Sequence, residues 1–389
     1  MNQTHLFLMP DYYRQFTCKM GACRAACCEG WPISFSLQDY HHLIGVECSA
    51  DLRRKLDCAM HIKLHPTPEA YAEIAPRYDG NCPMRLEDGR CGLQAELGEE
   101  ALSYVCRLYP RGIRTDGDCE CSCANSCEAV LEMLLTREEP LAFITIRNDF
   151  GLPDLPPKHH HFNTGDKEQA IRLWLIRQLQ RREYPLPQRI LLLGQALHAM
   201  EEALAAQDTA AVDALLSGER VIPAPDLPVP SREKMLRGLE IMESMLDIMD
   251  QHSSSIRDHG TEALAYFRRC ESPYATYEAA AARFAAILPQ WEIWLEYLLI
   301  NHMYFVQFPF QDRPIPLRDE YRTLVAIYAL LRCLLLGCLA EEGDAVRAVD
   351  VAAAAFRLVD HTSFDLYTPS LMKELGCDDW AHLRLLLSL

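Results

Sequence analysis

Apolar positions recur every three to four residues through most of the second half of this 389-residue chain, which is the spacing of amphipathic helices. Lys167 to Arg182 carries such a stripe, and Gln188 to Ala206 continues it with leucines at 191, 192, 193, 197 and 204. Glu233 to Met249 puts Met235, Leu239, Met242, Leu246 and Met249 on one face. That face reads as core packing or as a methionine-lined groove. Leu288 to Phe305, Asp319 to Leu339 and Asp344 to Leu358 complete the helical set. The first third is patterned differently. Turn residues at Gly21, Gly30-Trp31-Pro32, Asp79-Gly80-Asn81, Asp88-Gly89 and Gly117 punctuate short elements. Short helices are predicted over Ser36 to Ile44, with Ser36 and Asp39 as a capping box, and over Ala50 to Ala59. Arg111 to Glu120 reads as a hairpin turning at Asp116-Gly117, and Cys127 to Thr136 as a helix. Alternating strands are scarce. The expectation is a mainly α protein, in which a small cysteine-rich metal-binding N-terminal domain sits on a helical body.

The proline-rich run from Gly151 to His161 marks a boundary, which divides the chain into residues 1–147, a linker at 148–165 and a helical domain at 166–389. A second proline-rich linker spans Val221 to Pro230. His159, His160 and His161 are consecutive, so in an extended linker their rings diverge, and solvated residues are expected there rather than a metal site.

A net charge of −17 repels phosphate backbones and argues against nucleic acid as the main partner. The same charge suits a cationic partner or solubility alone. The N-terminus lacks a basic segment ahead of an apolar run, and the longest apolar helix, Leu324 to Leu339, is interrupted by Arg332. A cytoplasmic location is expected, where cysteines are metal ligands more often than disulfides.

Cysteine content then changes the picture. Thirteen of the 17 cysteines lie at or before Cys127. Eleven of them form Cys18-x4-Cys23-x3-Cys27-Cys28, then Cys82-x8-Cys91-x14-Cys106, then Cys119-x-Cys121-x-Cys123-x3-Cys127, with Cys48 and Cys58 outside these groups. Soft thiolates suit zinc and iron–sulfur clusters alike. The tight C-x2-C knuckles of structural zinc are absent, which favours iron–sulfur with zinc as the alternative. Cys27 and Cys28, being adjacent, do not easily give both sulfurs to one small centre. Cys270, Cys333, Cys338 and Cys377 fall in helical patterns and read as packing residues. No Gly-x-Gly-x-x-Gly, P-loop or Gly-x-Ser-x-Gly signature is present.

At these segments the chain resembles the flagellin lysine-N-methylases. The resemblance runs through Met9-Pro10-Asp11-Tyr12-Tyr13, Phe16-x-Cys18, Cys23-x3-Cys27-Cys28-x-Gly30-Trp31-x-Ile33 and Asn81-Cys82-Pro83-Met84. It is densest from Cys91 to Arg111, and it returns at Ser126-Cys127-Glu128-Ala129, Glu296-Tyr297-Leu298-x-x-Asn301 and Phe308-Pro309-Phe310. It implies transfer of a methyl group from S-adenosylmethionine to lysines of flagellin, and an iron–sulfur cluster (4Fe-4S) held by cysteines. Cys119, Cys121 and Cys123 depart from the family pattern, as does Glu128, which replaces a proline. The ligand pool is therefore Cys18, Cys23, Cys27, Cys28, Cys82, Cys91, Cys106 and Cys127.

Methylation needs a neutral amine, whereas a free lysine titrates near ~10.4. A site must desolvate the amine or supply a base. Within the densest segment Tyr104, Tyr109, Glu96, Glu99 and Glu100 are candidates, with Tyr109, Tyr104 and Glu100 first. Arg107 and Arg111 are candidate clamps for the donor's carboxylate. The competing expectation is a non-enzymatic metal-binding adaptor, with a chaperone-like methionine groove for a flagellar client.

Overall fold

The computed structural model describes residues 4–24, 27–115, 118–151, 161–227, 231–252, 256–269 and 273–389. Seven short strands lie in the first 148 residues: β1 His5–Pro10, β2 Ile33–Phe35, β3 Met60–Ile62, β4 Ala72–Ile74, β5 Arg111–Arg114, β6 Glu120–Cys123 and β7 Phe143–Asn148. Between them run α1 Leu37–Gly45, α2 Ala50–Ala59, α3 Gly92–Leu97, α4 Tyr104–Leu108 and α5 Glu128–Leu135. The body is built from α6 Glu168–Leu179, α7 Leu186–Ala205, α8 Thr209–Ser217, α9 Arg232–His252, α10 Arg257–Arg268 and α11 Pro273–Ile287. It is completed by α12 Trp291–Phe305, α13 Leu317–Cys338, α14 Ala345–His361, α15 Phe364–Glu374 and α16 Trp380–Leu386.

Local chemistry accounts for several boundaries. Ser36 and Asp39 form the expected capping box at the start of α1. The Asp344 side chain accepts from the Arg347 amide to start α14. Cys127 is the N-cap of α5 and Thr136 its C-cap. The helices the periodicity predicts are all present. Helices beyond that prediction are α3, α4, α8, α10, α11, α15 and α16, of which α3, α4 and α16 are short. Alanines crowd α11, and Pro369 lies inside α15. The tips at Asp116-Gly117 and most of the Gly151 to His161 run lie outside the described residues. His161 is exposed, with Nε2 3.1 Å from the Asp312 carbonyl.

Two sheets organise the first region. One has the order β5-β6-β1-β7, with β1 parallel to β6 and antiparallel to β7; the other has the order β2-β4-β3. The expected hairpin is the antiparallel pair β5 and β6, with Arg111 opposite Cys123. β1 was not legible from alternation, because five of its six residues are apolar or proline and its partners lie more than 100 residues away.

Helix α13 is the axis of the largest core, and nearly all of it is buried. Its length and composition would let it cross a membrane, yet those apolar side chains are spent on its neighbours. Close helix approaches depend on missing side chains. A Cβ on Gly337 would lie 2.4 Å from the Ala263 Cα of α10, and one on Gly194 of α7 would lie 2.3 Å from the Tyr321 ring. All five residues of the α9 methionine and leucine face are buried in this core.

The same core takes in Tyr12, Cys123, Val130, Leu131, Leu134 and Leu141 from the first region. A separate smaller core joins Ile33, Phe35, Leu43, Leu52, Leu56, Ile74, Cys82, Met84 and Leu93. Packing thus sets residues around 33–102 apart, while the N-terminus and residues 123–141 are built into the helical body.

Candidate functional site

The eight cysteines of the ligand pool gather in two places. Cys28, Cys82, Cys91 and Cys106 border the smaller core. The Cys82 amide donates to the Cys28 carbonyl at 2.7 Å, and an isolated bridge joins Arg85 to Cys91. These thiols are close enough for a charge on one to raise the others. Burial pushes Cys82 up to about 12 and Cys106 up to about 11. Cys28 moves the other way, down to about 7, because the Cys27 thiol is hydrogen-bonded to it and the Arg85 guanidinium is near. The second place is the start of α5, where Cys127, Cys18 and Cys23 influence one another beside Glu128. Cys27 lies between the two, feeling Cys28, Cys106 and Cys18. The adjacent Cys27 and Cys28 thiols are hydrogen-bonded to one another, so Cys27 reaches the Cys28 neighbourhood as well as the Cys18 one.

The donor set fits a thiolate-bound centre. Four sulfurs converge on an apolar wall that excludes water, and binding would displace thiol protons that burial otherwise holds in place. A tetrahedral zinc site with Zn–S near ~2.3 Å would hold its sulfurs within roughly 4 Å of one another. Among the described residues, His259, Glu262 and Cys338 form a group of three ligand atoms within 4.8 Å of one another. Arg347 already occupies Glu262 at 2.5 and 2.6 Å there, and the Cys338 thiol donates to the His259 carbonyl, so that group is an ion pair and a packed thiol.

Cys121 and Cys123, outside the ligand pool, are buried in β6, and Cys119 precedes it. Cys333, Cys338 and Cys377 are buried packing residues, and Cys270 lies outside the described residues.

The acid–base and clamp candidates from the Cys91 to Arg111 segment reach separate places. The Glu100 side chain is 90% exposed and pairs with Arg107 at 3.1 Å. Tyr104 opens α4 half-buried, with its amide donating to Asp39. The Arg107 guanidinium stands 5.9 Å from the Tyr104 ring centroid. Arg111 donates through Nε to the Tyr13 hydroxyl at 2.8 Å and lies over Phe16. The Tyr109 hydroxyl is 3.0 Å from Ser126 Oγ, which is 2.7 Å from His361 Nε2. Glu96 bonds the backbone and hydroxyl of Ser49 as an outer brace of α2, and Glu99 starts a short 3-10 turn.

Tyr109 belongs to a polar seam joining the cysteine region to the body. Tyr12 donates to Asn301 Oδ1 at 2.7 Å, and Asn301 donates to the Cys123 carbonyl and to Asn125 Oδ1. The Asn125 amide donates to Asp360 Oδ2 at 3.2 Å, and Asp360 Oδ1 meets His302 Nδ1 at 2.8 Å. Arg172 and Glu120 close the seam with a buried ion pair at 2.7 Å.

His302 and Asp360 face a cavity of about 230 Å³ between β5, α12, α13, α14 and α15. Phe305, Phe308, Leu324 and Phe364 supply apolar wall, and Glu320 is a buried carboxyl on it. Burial pushes Glu320 up to about 8, against two hydrogen bonds from Gln311 at 2.9 Å. A carboxyl raised on folding binds its proton more tightly in the native state, so it stabilises below the unfolded value and loses that contribution as pH climbs to about 8. Unfolding free energy should therefore fall between pH 5 and 8 by up to about 1.4 kcal/mol per pH unit from this group. Urea titrations of wild type and Glu320→Gln check this; equal slopes in the two proteins would refute it.

None of Tyr104, Tyr109, Glu100, Arg107 and Arg111 lines this cavity. His302, Glu320, Asp360 and Asp365 come to it from helices whose periodicity shows only that they are amphipathic. Phe308 and Asn301 did carry a sequence signal, as parts of the resemblance motifs, whereas His302 and Asp360 had none of their own.

Comparison with known proteins follows this geometry. The profile of the FliB lysine N-methylase C-terminal domain matches residues 172–386, more than half of the chain and all of the cavity's helical wall. Lysine-N-methylases of Salmonella typhimurium and Salmonella choleraesuis are each 24% identical over 359 residues, covering 86% of this chain and 86% of theirs. A flagellar biosynthetic protein FliU of Salmonella muenchen is 29% identical over 135 residues, covering 34% of this chain and 79% of its own. No solved structure matches the chain. The chain belongs to the FliB lysine N-methylase family, a family of protein-lysine N-methyltransferases.

Proposed function

We propose that this enzyme transfers methyl groups from S-adenosylmethionine to lysine side chains of flagellin, and that its cysteines hold an iron–sulfur cluster. Family membership over the whole helical body carries the methylase reading. The flagellar name of a third relative supports a flagellar substrate. A surface with a net charge of −17 favours a lysine-bearing segment over an acidic one.

Cys28, Cys82, Cys91 and Cys106 are the leading ligand set, since they share one apolar wall. Cys18, Cys23, Cys27 and Cys127 are the alternative set, near the seam. The cluster, when bound, supplies rigid cross-linking of distant segments and a local charge. The chain's own residues carry the rest. Cys82 and Cys28 tie residues 28 and 82 together through a backbone hydrogen bond, and the seam transmits that order to α12 and α14.

The reading is tested by incubating anaerobically purified protein with flagellin and S-adenosylmethionine, followed by mass analysis of the lysines. Mass gains in steps of one methyl are expected. Their absence, together with no heat of donor binding, would leave the adaptor reading in place.

A further inference from the structure

We infer that the cavity between α12, α13 and α14 receives the acceptor lysine, and that His302 takes the proton from its ammonium. The assignment rests on the methylase reading and deepens it.

Size is the first reason. A cavity of about 230 Å³ is smaller than the ~300–1,000 Å³ that drug-sized ligands occupy. It suits one long side chain better than a whole nucleoside-bearing methyl donor. Its walls suit that side chain too. Phe305, Phe308 and Phe364 offer apolar surface for the four-carbon stem. Asp360, Asp365 and Asp312 outnumber Arg114 and Arg313 around the rim and floor, and Arg313 already leans on Asp365 at 3.6 Å. Thr323 Oγ1 is buried on this wall with no partner, so a polar group entering there would satisfy it.

The base is built for direction. Asp360 has a fully buried side chain, is held by the Asn125 amide, and meets His302 at Nδ1. An anionic Asp360 keeps the proton of a neutral imidazole on Nδ1, leaving Nε2 as the acceptor. His302 then accepts one proton from the lysine ammonium and becomes imidazolium, stabilised by Asp360. The neutral amine's lone pair forms the new N–C bond to the sulfonium methyl. The S–C bond breaks with its electron pair going to sulfur, so the positive charge passes from sulfur to nitrogen and the donor leaves as a neutral thioether. Asp360 is a positioning residue in this scheme, and His302 is the catalytic one.

The test measures methyl transfer to flagellin by wild type, His302→Asn, Asp360→Asn and Val306→Trp across pH 7 to 9.5. His302→Asn should lower kcat by about 10²–10⁴-fold at pH 7. Its rate should then climb about tenfold per pH unit as free amine accumulates below ~10.4, while wild type stays flatter. Asp360→Asn should lower kcat with little change in KM. Val306→Trp fills the cavity from its wall and should raise the KM for flagellin, with S-adenosylmethionine binding unchanged by calorimetry. A His302→Asn enzyme with wild-type kcat and pH profile overturns the assignment of the base. A Val306→Trp enzyme with wild-type KM overturns the assignment of the cavity. Wild type that transfers no methyl refutes the methylase reading and takes this assignment with it, so the two failures are told apart by the wild-type control.

Discussion

Cys82→Ser is expected to yield protein without the broad absorbance near ~400 nm that marks a thiolate-bound iron–sulfur centre, and to unfold residues around 33–102 while the helical body stays folded. Cys82 is 7% exposed within the smaller core, and its amide already bonds the Cys28 carbonyl. The substitution removes one thiolate and puts a hydroxyl among Leu52, Leu56 and Met84. A small core of this kind gains much of its order from ligation, because the binding energy exists only in the assembled site. Absorbance with iron and sulfide analysis of anaerobic preparations reads the first effect, and hydrogen exchange resolved by region reads the second. The same substitution at Cys121 is the control: that thiol lies in β6 outside both cysteine sets, and its loss should leave the absorbance intact. A Cys82→Ser protein with full iron content and native protection over this region would remove Cys82 from the ligand set.

Glu296→Ala should lower the unfolding free energy by about 3–5 kcal/mol, which is what breaking a buried charge pair by removing one partner costs. Glu296 is fully buried on α12, with Arg182 donating to it at 2.9 Å and Arg189 donating from α7. Arg189 is 2% exposed, and its other ties are to the Leu179 carbonyl at 3.0 Å and, more distantly, to the partly exposed Glu292 at 3.8 Å. Alanine at 296 leaves that buried guanidinium with only the more distant, partly exposed Glu292 as counter-charge. Urea unfolding measures the loss. The double variant Glu296→Leu with Arg189→Met should recover much of it, since apolar replacements of a buried pair are often neutral. If Glu296→Ala unfolded within 1 kcal/mol of wild type, the claim that this pair locks α7 onto α12 would be wrong.

These two sites show how a sequence motif and its physical work can differ. Glu296 and Asn301 stand in one resemblance motif, yet neither lines the cavity. Glu296 holds two arginines, and Asn301 ties Tyr12, Cys123 and Asn125 together across the seam. The motif marks where the cysteine region is bolted to the body. The cavity begins one residue later, at His302.

Helix positions, the capping box at Ser36, the turn-rich character of the first third and the concentration of cysteines could all be read along the chain. Each depends on neighbours within about four residues, or on composition. The clustering of cysteines was legible for the same reason, and the resemblance proposed eight of them as ligands. The gathering of Cys28, Cys82, Cys91 and Cys106 on the smaller core was not legible, because it depends on how segments far apart in sequence pack together. β1 was hidden too, since its pairing with β6 and β7 spans the whole first region. The seam and cavity were hidden most completely. Asp360, His302 and Asn125 are separated by 58 residues or more, and each alone is an ordinary polar side chain in an amphipathic pattern. By itself the sequence determined the helical class, the thiol-rich region and its membership of a methylase family. Only tertiary structure decided which charges are buried together and which histidine meets an aspartate, because those depend on contacts between segments that local periodicity does not encode.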